Sequence, residues 1–124
     1  MLLLRDPCEA YRRVDFDARV TVATPRQLVD LCFEQLIGSL DRVLYAQGRG
    51  DNRMKSAALT RAVAALTALQ LGVDETAPTG TALLQIYQSA RRAVLECAVR
   101  FDPDVLTNIR NDFAEIHQAM SGPD

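Results

Sequence analysis

The sequence predicts an all-α fold, an antiparallel up-and-down four-helix bundle with an N-terminal extended or short-helical cap segment. Three observations carry this: two helix starts of the cap-then-proline kind, four stretches whose apolar residues recur at helical period, and short turn-rich connectors between them. Residues 1–23 form the cap segment and residues 24–120 a single bundle domain.

The first helix starts at Thr24-Pro25, where the Thr oxygen can accept from first-turn N–H groups and Pro gives up a donor that has no helical partner. Apolar residues from Leu28 through Leu44 then recur to about Ala46, leaving Gln27, Asp30, Glu34 and Asp41 a narrow polar face. So broad an apolar arc requires cover on more than one side. Gln47-Gly48-Arg49-Gly50 ends the helix, and Asp51 or Asn52 caps the second, near residues 52–71. Of its residues from Met54 to Leu71, 12 of 18 are apolar and six are Ala, which suits either close helix packing or a groove floor. Gly72 and the turn-rich Asp74–Gly80 stretch lead into a third helix near residues 80–101, with Leu83, Ile86, Tyr87, Ala90, Val94, Cys97, Ala98 and Phe101 as its stripe. Asp102-Pro103 repeats the capped start, and Val105, Leu106, Ile109, Phe113, Ile116 and Met120 form the narrower stripe of a fourth helix near residues 103–119. Leu36, Leu40, Leu66, Ile86, Val94, Ile109 and Phe113 are the expected core. From Val14 to Val20 the pattern is closer to alternation, as in an extended segment lying along the bundle.

Composition narrows the function. A chain of 124 residues holds one core, and a net charge of −2 gives no basis for nucleic-acid binding. Met1–Leu4 is too short an apolar run for a signal peptide and nothing later approaches a membrane span, so the expected location is the cytoplasm. Cys8, Cys32 and Cys97 have neither disulfide nor zinc spacing, and Cys32 and Cys97 read as small core hydrophobes. His117 reads as a surface residue favoured by the helix dipole, Asp30 and Glu34 as a solvated i, i+4 pair, Gly48-Arg49-Gly50 as a turn, and Arg91-Arg92 as an exposed basic pair. No nucleophile–base constellation, metal site or cofactor motif stands out, so a non-catalytic binding module is expected, as a monomer or a homodimer.

Ala10-Tyr11, Val14, Thr24-Pro25-Arg26-Gln27-Leu28-Val29, Arg61-Ala62 with Leu66 and Leu69, Leu83-Leu84-Gln85-Ile86-Tyr87, and Asp102 with Leu106 together resemble the flagellar secretion chaperone FliS family from about residue 8 to residue 120. Departures are Cys32-Phe33, where the family usually has Leu-Tyr, and Met120, where it often has Trp. The resemblance implies a cytoplasmic chaperone that binds the C-terminal segment of flagellin, blocks its premature polymerisation and presents it for export, with an export-gate component as a possible second partner. A client groove and its cap are then expected among Tyr11, Val14, Phe16, Leu28, Leu31, Cys32, Leu59, Ala62, Leu66, Leu69, Leu84 and Tyr87. A helical adaptor or homodimerisation module is the alternative.

Overall fold

The structure, a computed structural model, describes Phe16, Ala18, Arg19 and residues 23–120. These form four helices and no strand: α1 (Pro25–Arg49), α2 (Asn52–Leu71), α3 (Gly80–Val99) and α4 (Pro103–Met120). Phe16, Ala18 and Arg19 are helical, which corrects the extended reading at those positions.

The ends of α1 show why it forms where it does. Thr24 Oγ1 accepts from the Gln27 N–H at 3.2 Å, while Gln27 Oε1 accepts from the Thr24 N–H at 2.9 Å, a reciprocal capping box with Pro25 at the first helical position. At the other end Gly50 takes the left-handed conformation, φ 69°, its N–H donating to Gln47 O at 3.2 Å and the next N–H, of Asp51, to Ala46 O at 2.9 Å. This six-to-one and five-to-two closure is a Schellman motif, so α1 continues to Arg49 rather than stopping near Ala46. Asp51 Oδ1 caps α2 through the Met54 N–H at 3.0 Å. Before α3, Asp74 Oδ1 accepts from both the N–H and the hydroxyl of Thr76, and a side chain at position 80 would collide with the Asp74 carbonyl, which requires glycine there. The third helix ends at Val99, short of the expected Phe101, because Arg100 is already extended ahead of the Asp102-Pro103 start. Released from the helix, Phe101 lies with its ring 4.9 Å from the Lys55 ammonium.

The helices pack in sequence order, with α4 returning to α1. Antiparallel pairing of α1 and α4 is marked by Arg26 donating to the Met120 carbonyl, by His117 Nε2 against Asp30 Oδ1 at 3.2 Å, and by Arg110 Nε on Asp41 Oδ1 at 2.9 Å. Phe33, Leu36, Leu40, Val43, Leu66, Val94 and Leu106 are fully enclosed. The α2 alanines Ala58, Ala62 and Ala65 are buried, so of the two uses open to an Ala-rich face the structure takes close packing.

Three expectations are corrected. Ile86, expected in the core, is 40% exposed, and Ile109 is only half-buried, because α3 and α4 diverge beyond their short connection. Arg91 is not on the outer face: its Nε donates to Thr67 Oγ1 at 3.0 Å across the α2–α3 seam, while Arg92 is exposed. His117 is no bare surface residue. Its ring stacks on Phe33 at 5.1 Å between centroids, with 12° between planes, and it faces Asp30.

Candidate functional site: the furrow between α3 and α4

Among the described residues the chemistry is sparse. No group of three His, Cys, Asp or Glu side chains could hold a metal ion, and no helix is long and apolar enough to cross a membrane. Burial pushes the Tyr87 phenol above its ordinary value, with the neighbouring Cys32 thiol adding in the same direction, and burial also raises Cys32. Neither group therefore ionises near neutral pH to serve as a nucleophile. A phenol whose folded pKa lies above its unfolded one stabilises the fold fully below the ordinary tyrosine pKa of about 10, and that contribution is lost as pH rises through the raised value. Urea unfolding of the wild type should thus show a decline above about pH 10 that is shallower in Tyr87→Phe. Equal slopes for the two proteins would refute a Tyr87 origin.

The open surface is a furrow. Two adjoining clefts of about 630 and 660 Å³ run between α3 and α4, sharing Ala93 and Val105. Small residues, Ala82, Ser89, Ala90 and Ala93, form the α3 side of the floor, with Val105, Ile109 and Phe113 opposite. Small side chains let another helix approach closely. Ile86 stands in one cleft, and Leu95 (44% exposed) and Val99 (92% exposed) line the other. Arg92 and Arg100 edge the end near the α3–α4 connection, and Asp112 with Asn108 the far end.

The furrow is held in shape by an aromatic cluster beneath it. Phe33 of α1 meets the Tyr87 ring of α3 edge-on, at 6.4 Å and 70°, and the Phe113 ring of α4 at 5.8 Å; Tyr87 and Phe113 are 6.1 Å apart. Contacts of this kind contribute about 0.5–1.5 kcal/mol each beyond burial.

The residues expected to form the groove fall elsewhere. Tyr11 and Val14 lie outside the described residues. Leu31, Leu59, Ala62, Leu66, Leu69 and Tyr87 are buried, and none of them lines either α3–α4 cleft. Leu28, Cys32 and Leu84 are half-buried, and Phe16 lines a small cavity with Leu31. Sequence reasoning missed Leu95, Val99 and the furrow itself. The available signal was that Leu95 and Val99 stand off the α3 stripe, apolar residues without an assigned neighbour.

A helical bundle whose principal open feature is an apolar, small-floored furrow defines a binding module of the kind that receives another helix. Comparison with known proteins gives it a family. Residues 8–121 match the family Flagellar protein FliS, and the chain belongs to that family. It is similar to the flagellar secretion chaperone FliS of Salmonella typhimurium strain LT2, with 25% identity over 114 residues, covering 90% of this chain and 84% of the relative.

Proposed function

We propose that this chain is a cytoplasmic, non-catalytic export chaperone that holds the C-terminal helical segment of flagellin, keeps it from polymerising and delivers it for secretion. The family and the relative's name support the secretion role. The observation that carries the client reading is the α3–α4 furrow, which offers exposed Ile86, Leu95 and Val99 over a floor of small residues. A client that folds as it binds must offset an ordering cost of about 2–5 kcal/mol or more, which favours a long apolar contact over isolated polar ones. The two clefts end to end supply such a length. An export-gate component would then meet the loaded complex rather than the free chain.

Calorimetric titration with a peptide of the flagellin C-terminal segment tests this. Binding at one peptide per chain with a negative heat-capacity change is expected. No heat, together with a concentration-dependent dimer in sedimentation, would replace the reading with a homodimerisation module whose second copy covers the furrow.

A further inference from the structure

On the opposite side of the bundle, Phe16 and Arg19, α1 and α2 enclose a separate cavity of about 280 Å³. Its walls are unlike those of the furrow. Arg61, 8% exposed, and Ser39, 4% exposed, are the buried polar and charged residues of the interior, and both line it together with Arg42. With the Gln35 amide oxygen turned toward the guanidinium, Arg61 Nε donates to it at 2.9 Å and Nη2 at 3.3 Å, which fixes the guanidinium. The carboxylate on the cavity wall, Glu34, is engaged by Arg19 at 3.1 Å. Gly38 supplies the room: it sits in the interior of α1, where glycine costs about 1 kcal/mol relative to alanine, and no described atom lies within 4 Å of where its Cβ would be.

We infer that this cavity is a receptor for the carboxylate of an Asp or Glu side chain carried by a peptide segment. Two guanidiniums and a hydroxyl around a pocket of side-chain size match a carboxylate, and planar guanidiniums take both of its oxygens. The glycine lets the bearing backbone come close to α1. The carboxylate can come from this chain, since Asp15 and Asp17 adjoin Phe16 in sequence, or from the client, in which case the inference rests on the chaperone reading above.

Two substitutions in the full-length chain test it: Gly38→Leu, which fills the space with a better helix former, and Arg42→Gln, which removes a charge. Because leucine improves helix propensity, the melting temperature of Gly38→Leu should hold or rise, so that a lost site is not mistaken for a lost fold. Amide exchange of residues 8–17 and calorimetric affinity for the flagellin C-terminal peptide are the two readouts. If the carboxylate is the chain's own, both variants speed that exchange about tenfold, the pair Asp15→Asn and Asp17→Asn does the same, and client affinity holds or rises. If it is the client's, exchange is unchanged and the client is bound about tenfold more weakly. The inference is overturned if neither readout moves in either variant. Failure of the wild type to bind the peptide would remove only the chaperone reading, since the exchange measurement still decides the cavity.

Discussion

Replacing Phe33 with alanine is expected to cost about 3–5 kcal/mol of folding stability, the range for deleting a fully buried phenylalanine. Phe33 is wholly enclosed, and its ring touches Tyr87, Phe113 and His117, so one side chain joins α1 to both helices that wall the furrow. Against a total of about 5–15 kcal/mol for a domain of this size, such a loss leaves a marginal fold. Phe33→Leu, which keeps volume but loses the ring contacts, should cost clearly less. Urea unfolding followed by circular dichroism measures both. A loss below about 1 kcal/mol for the alanine variant would show that the cluster does not organise the bundle.

Client binding is expected to respond to the opposite kind of residue. Ile86→Asp puts a charge at the furrow wall, where its 40% exposure allows hydration, so stability should change by about 0.5 kcal/mol or less while affinity for the flagellin C-terminal peptide falls at least about tenfold. Val99→Asp, at a position already 92% exposed, should leave the fold untouched and weaken binding through the adjoining cleft. The magnitude follows from one large apolar side chain, about 1.5–3 kcal/mol when fully buried. Wild-type affinity in both variants would place the client elsewhere, with the half-buried Leu28, Cys32 and Leu84 next to be tested.

The helices were legible because their signals are local. Thr24-Pro25 with Gln27 three residues on, Gly50 after the last turn, Asp51 ahead of α2 and Asp102-Pro103 each act within a few residues, and each makes the hydrogen bonds its chemistry predicts. The misreadings concern distances between helices. Periodicity identified the apolar face of α3 but not that α4 leans away from it, so Ile86 was assigned to a core that does not close over it. His117 and Asp30 are 87 residues apart, and Arg91 and Thr67 are 24 apart; nothing near either His117 or Arg91 in sequence announces its partner. The Ala-rich face of α2 suited both a groove and a tight seam, and only the packing chose between them.

The return of α4 to α1 also bears on the order in which the molecule is assembled. The α1–α2 and α2–α3 pairs join neighbours in sequence across short turns, whereas the contacts that hold α4 span 69 residues from Asp41 to Arg110 and 94 from Arg26 to Met120. Closing so long a loop costs entropy before the contacts repay it, so docking of α4 belongs late in folding and its release early in unfolding. On the ribosome the same helix is among the last parts made. Until residues 103–120 emerge, Phe33 lacks Phe113 and His117 as cover, and the newborn three-helix intermediate carries an apolar face that the finished protein conceals.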